Sequence, residues 1–188
     1  MMSGWTITVC VAALTSLVAN PLSAQWVDVA DTSRSEGTPR GAGADDVITA
    51  WRGSFRSAKT PDGISTFRAL MLKAATTRPD TVLAAAFLAT AEVLTASQRH
   101  NPFAKFSGFR KWTAVLDEQI RLSPHDPDIR FLRLTVQDMS PGFLGYRAHM
   151  SEDCRLVEEG LDQGFWSSDA EHEAFVTQIH SGIKACSQ

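Results

Sequence analysis

The chain has 188 residues, with 21 acidic and 18 basic side chains and a formal net charge of −3. Its basic residues are scattered rather than gathered into a stripe, so it shows no electrostatic footprint for nucleic acid or anionic lipid, and no polyanion partner is expected. The length suits one domain of ordinary size with its own core.

Residues 1–24 carry no charged side chain, run apolar from Trp5 through Ala19, break at Asn20-Pro21 and close on Leu22-Ser23-Ala24. That layout predicts a secretory signal peptide cut after Ala24. An uncleaved anchor needs roughly 20 apolar residues, and Asn20-Pro21 interrupts the run first. The expected product is periplasmic or secreted, with no membrane segment after cleavage. Cys154 and Cys186 are then the remaining cysteines, and an isolated pair in an exported chain is expected to form one disulfide. Closing a loop of about thirty residues is worth about 3 kcal/mol. Free thiols or a metal site are the alternatives, and the absence of a CxxC pair argues against zinc.

Residues 25–44 are rich in Ser, Thr, Gly, Asp, Arg and Pro, too poor in apolar surface to offset ordering entropy, and read as a flexible tether. Residues 45–188 are expected to form a single helical domain. A first helix over residues 46–57 carries Val47, Ile48, Trp51 and Phe55, and ends before Pro61-Asp62-Gly63. A second, over 64–77, is fixed by Phe67, Leu70, Met71 and Ala74. The third opens at Asp80 as its cap and runs to about residue 100. Its apolar positions and its alanines face more than one way, which marks it as the central helix.

Asn101-Pro102 and Asp126-Pro127 each pair an N-cap residue with proline at the first helical position. They open a fourth helix with a stripe of Phe103, Phe106, Phe109, Leu116 and Ile120, and a fifth that runs to about Ser140. Pro141-Gly142 turns the chain into a sixth helix over 145–161. A seventh, over 168–185, has Ala174, Phe175, Ile179 and Ile183 as its buried stripe. No segment alternates as a strand would. The expected fold is all-α, about seven helices in stacked antiparallel hairpins.

The run Trp112 to Pro127, with Ala114-Val115-Leu116, Ile120-Arg121-Leu122-Ser123-Pro124 and Asp126-Pro127, resembles the closing helix and proline turn of a tetratricopeptide repeat. No second copy follows at a spacing of about 34 residues, so the likeness implies helical hairpins and not a repeat array. The segments Asn101-Pro102-Phe103-Ala104-Lys105, Asp128-Ile129-Arg130-Phe131-Leu132-Arg133-Leu134 and Pro141-Gly142-Phe143-Leu144-Gly145-Tyr146 are similar to a group of uncharacterised exported bacterial helical proteins. That likeness implies fold and export and carries no chemistry.

The sharpest polar constellation is Arg130, Arg133 and Gln137 at i, i+3 and i+7 on the fifth helix, with Tyr146, His149 and Asp153 repeating the spacing on the sixth. Two readings stay open: an internal network that pairs an arginine with Asp153, or a pocket whose guanidinium forks hold a small anionic ligand. His172 and His180, flanked by Glu171 and Glu173, are too widely spaced for one metal and are expected to be solvated, and Glu158 and Glu159 read as surface charge. There is no GxSxG elbow, no phosphate loop and no HExxH. No catalytic residue, metal site or cofactor is expected. Trp51, Phe55, Trp112, Phe165 and Trp166 either fill a two-sided core or leave apolar surface for a partner. The expected role is a non-catalytic protein- or peptide-binding module, with a small anionic-ligand sensor or carrier built on the Arg130–Asp153 cluster as the alternative.

Overall fold

A computed structural model of the chain describes residues 42–78 and 81–186, with side chains from Asp45 onward. Among the described residues the fold is all-α: seven α-helices, no strand, and adjacent helices packed pairwise. The helices are α1 (Ala42–Arg56), α2 (Pro61–Thr77), α3 (Val82–Ser97), α4 (Pro102–Leu122), α5 (Pro127–Met139), α6 (Met150–Asp162) and α7 (Ala170–Gly182). A 3-10 turn, Gly142–Leu144, precedes α6, and another, Lys184–Cys186, follows α7. The signal peptide, most of the tether and the Asp80 cap lie outside the described residues. No described helix is long and apolar enough to cross a membrane.

Local capping sets most of the boundaries. Asn101 accepts bonds from the backbone N–H of Phe103 and Ala104, and Asp126 does the same for Asp128 and Ile129; each proline behind them has no N–H to leave unbonded. Thr60-Pro61 works identically, with the Thr60 hydroxyl accepting from Gly63 N–H. α2 therefore begins at Pro61, where the proline had suggested a break. A Cβ on Gly63 would run into the Ser57 carbonyl, so the tight entry to α2 requires glycine there.

α3 is buried on nearly every side and packs against α2, α4 and α5. Its alanines allow this. A Cβ placed on Gly108 of α4 would sit 2.6 Å from the Ala96 methyl, so the two helices meet across a small-residue contact with no room for one more carbon. Phe87 of α3 packs edge to face on Phe55 and Phe67, and Phe55 does so on Phe131, at 6.2–6.3 Å, an arrangement that ring quadrupoles favour; Phe55 and Phe67 meet at a tilt, 5.6 Å apart. Trp51, Phe55 and Trp166 belong to this core, and Trp112 and Phe165 are half-buried against it.

The chain between α5 and α6 departs from the expected helix over 145–161. Gly145 adopts a left-handed conformation (φ 69°) that closes the 3-10 turn, and Arg147 folds back to donate to the Gln137 and Asp138 carbonyls at the open end of α5. α6 consequently starts at Met150, and Tyr146 and His149 precede it. Cys154 on α6 and Cys186 in the last turn form the expected disulfide, separated by 32 residues. The bridge is consistent with an oxidising compartment.

Candidate functional site

Arg130 and Arg133 converge from α5 on one carboxylate of α6. Asp153, fully buried, accepts from Arg133 Nε and Nη2, both at 2.7 Å, and from Arg130 Nη1 at 2.8 Å. The remaining guanidinium nitrogens also have partners: Arg130 Nε bonds the Pro124 carbonyl at 2.7 Å, Arg130 Nη2 pairs with Glu152 at 3.2 Å, and Arg133 Nη1 reaches Asp117 at 3.5 Å. Burial opposes the Arg133 charge, but its bonds and charge pairing with Asp153 outweigh that and hold its pKa above the ordinary arginine value. The Tyr146 hydroxyl donates to Asp117 at 2.9 Å; burial, then the Asp117 charge, pushes its pKa well up.

Of the six residues singled out on these helices, the structure thus brings together Arg130, Arg133, Asp153 and, through Asp117, Tyr146. Gln137 is fully buried beyond them, and neither of its amide atoms has a hydrogen-bond partner among the described residues. His149 is exposed and only 3.8 Å from Glu152, because the turn before α6 removes it from the helical register.

A second buried network joins α1, the start of α5 and the turn between α6 and α7. Arg52 of α1 forks onto Asp128 at the start of α5, Nε to Oδ1 at 3.1 Å and Nη2 to Oδ2 at 2.7 Å, and Asp128 Oδ1 also accepts from the Trp166 indole at 2.7 Å. His172, expected to be solvated beside Glu171 and Glu173, is instead 1% exposed. It packs edge-on to Phe131 at 5.7 Å, and burial, reinforced by the charges of Arg52 and Arg56, pushes its pKa down to about 3. His172 and Val176 form the innermost face of α7, and Ala174 of the predicted stripe points outward. The cleft beside Arg52 holds about 80 Å³, room for a few waters.

A cavity of about 690 Å³ opens instead between α3, α4, the end of α5 and the Gly142–Leu144 turn. Val93 and Leu94 of α3 and Val136 of α5 supply buried apolar lining, and Phe106 and Phe109 contribute from α4. Phe103 and Phe143, both in the lining, are 83% and 88% exposed, and Met139 beside them is 57% exposed. Phe103 and Phe106 were expected in a buried stripe; the first turns of α4 extend beyond the core, and their aromatic face meets solvent. Lys105 is the one charged residue of the lining, and the Arg110 guanidinium lies 5.7 Å from the centroid of Phe106.

The chain matches no family model, no curated protein and no solved structure. Neither the tetratricopeptide likeness nor the likeness to exported helical proteins therefore identifies a family. What distinguishes the chain is its own geometry: two ionic clusters in which each arginine is paired with a carboxylate, and one large apolar groove with exposed aromatic side chains and a cationic lip.

Proposed function

We propose that the protein is an exported, non-catalytic binding module that takes an amphipathic helical segment of a partner protein into the groove between α3, α4 and α5. The observation that carries this reading is the pair of phenylalanines, Phe103 and Phe143, held almost fully in solvent within a 690 Å³ apolar cavity. Isolated exposed apolar residues are ordinary, whereas a contiguous patch with a concave floor is the form of a binding site. Burying both rings contributes about 3–6 kcal/mol before the cost of association.

Helix-in-groove recognition places apolar anchors at i, i+3, i+4 and i+7 against such a floor. With Lys105 in the lining, Arg110 over Phe106, and no carboxylate lining the groove, the favoured segment has an acidic residue beside its apolar face. Each guanidinium nitrogen of Arg130 and Arg133 already has an acceptor within the protein, which favours the groove over a small anionic ligand at that cluster.

The test is calorimetric titration with a synthetic amphipathic helix carrying leucine anchors and flanking glutamates. We expect binding that weakens at least about tenfold in a Phe103→Ser, Phe143→Ser double variant with unchanged helicity, since each lost ring contact exceeds 1.4 kcal/mol. Binding that is indifferent to both substitutions, or absent from the wild-type chain, overturns the reading.

A further inference from the structure

The C-terminal disulfide has a third potential ligand beside it. A ring nitrogen of His180 and the sulfurs of Cys154 and Cys186 all lie within 4.8 Å of one another. The Nε2 atom of His180 is 3.1 Å from the Cys154 carbonyl oxygen. A carbonyl can only accept, so in this bond Nε2 carries the proton and Nδ1 is the unprotonated nitrogen. That bond holds the imidazole against the backbone of the residue that carries one of the two sulfurs, and a carbonyl partner of this kind commonly orients metal-binding imidazoles.

We propose that reducing the Cys154–Cys186 bridge converts this corner of the fold into a Cys2His site for a thiolate-preferring cation of the Zn2+ or Cu+ class. Two thiolates and an imidazole suit such ions, and a site with three protein ligands leaves a fourth position open. Zn–S and Zn–N bonds of about 2.3 Å and 2.0–2.1 Å set the donors of one tetrahedral centre roughly 3.5–3.8 Å apart. The sulfurs must part from bonding distance and the imidazole must close by about 1 Å, a movement within reach of side-chain rotation. The 3-10 turn holding Cys186 follows Ile183, which stays buried in the core, so the ligands remain near one another once the covalent link is gone.

The electron source is a dithiol. Its thiolate attacks the sulfur of Cys186, the less buried of the two residues, the S–S bond breaks and Cys154 leaves as thiolate. The second thiol of the reductant then attacks the mixed disulfide, releasing Cys186 and closing the reductant's own disulfide. Two electrons pass to the protein. Each cysteine thiol gives up its proton on coordination, so uptake of Zn2+ releases two protons. The cation then cross-links α6 to the C-terminal turn in place of the covalent bridge.

The experiment reduces the full chain with a phosphine, removes the phosphine without air, and titrates with Co2+ followed by Zn2+. We expect one equivalent of Co2+ with a thiolate-to-cobalt charge-transfer band that Zn2+ abolishes, and no such band from the oxidised chain. Cys154→Ser removes the band. His180→Ala retains both thiols and weakens Co2+ binding by at least about tenfold. Circular dichroism accompanies each step, and if reduction alone melts the helices, Zn2+ must restore them. A reduced chain without the band, equal affinity in His180→Ala, equal binding by the oxidised chain, or helices that Zn2+ fails to restore would each overturn the proposal.

Discussion

Arg133 grips Asp153 through two bonds, Nε to Oδ2 and Nη2 to Oδ1, with both residues buried. Arg130 adds a third bond to the same carboxylate. Removing the shared anion leaves two buried guanidiniums short of a counter-charge, which costs far more than an exposed ion pair is worth. Asp153→Asn is expected to lower stability by about 3–5 kcal/mol in urea denaturation. A loss below about 1 kcal/mol would mean that the cluster is hydrated and contributes little.

His172 makes the fold acid-sensitive. Its pKa is depressed to about 3 from the ordinary histidine value of 6.5, so between those values the unfolded chain binds the proton that the folded chain refuses. Stability is complete above pH 6.5 and falls as the pH drops toward 3. The histidine accounts for a loss of about 2 kcal/mol between pH 7 and pH 5. His172→Phe should flatten that part of the stability profile. An unchanged slope in the variant would place the acid sensitivity elsewhere.

The contact between Gly108 and Ala96 limits how far α3 and α4 can be filled. Gly108→Ala gains helix propensity of about 1 kcal/mol but forces the helices apart, and overpacking of this kind costs about 1–3 kcal/mol. We expect net destabilisation in thermal melts, with Ala96→Gly restoring much of the loss in the double variant. Additive losses in that double variant would show that the two residues do not touch.

Gln137 runs the other way. Its amide is fully buried, and among the described residues neither atom is bonded, a desolvation cost with no compensating bond. Gln137→Leu is expected to stabilise the protein by about 1–3 kcal/mol in chemical denaturation. Destabilisation would show that the amide has a partner.

Features set by local chemistry were legible in the sequence. Asn101-Pro102 and Asp126-Pro127 fixed the starts of α4 and α5 because a side-chain acceptor followed by a residue without N–H acts within a single turn. The same logic governs Thr60-Pro61, where reading the proline as a breaker moved the start of α2. Gly145 and the Arg147 cap on the end of α5 shortened α6, a consequence of one left-handed residue that helical spacing does not reveal. His172 sits between glutamates and looks solvated; its burial depends on α1 and α5, distant in the chain. The pairing of Arg130 and Arg133 with Asp153 could be anticipated because i, i+3 spacing puts both arginines on one face. The Arg52–Asp128–Trp166 network could not, since it joins residues 76 and 38 positions apart. The groove escaped notice because Phe103, Phe106 and Phe109 fit a core stripe, and nothing in their spacing tells where α4 outruns the helices beneath it.

The most direct test is a two-dimensional 15N NMR spectrum of the protein titrated with the glutamate-flanked amphipathic peptide. The groove account predicts shifts concentrated on residues 93–97, 102–109 and 136–144, with α7 unmoved. Shifts that are absent at saturating peptide, or that centre on α1 and α7, would contradict it.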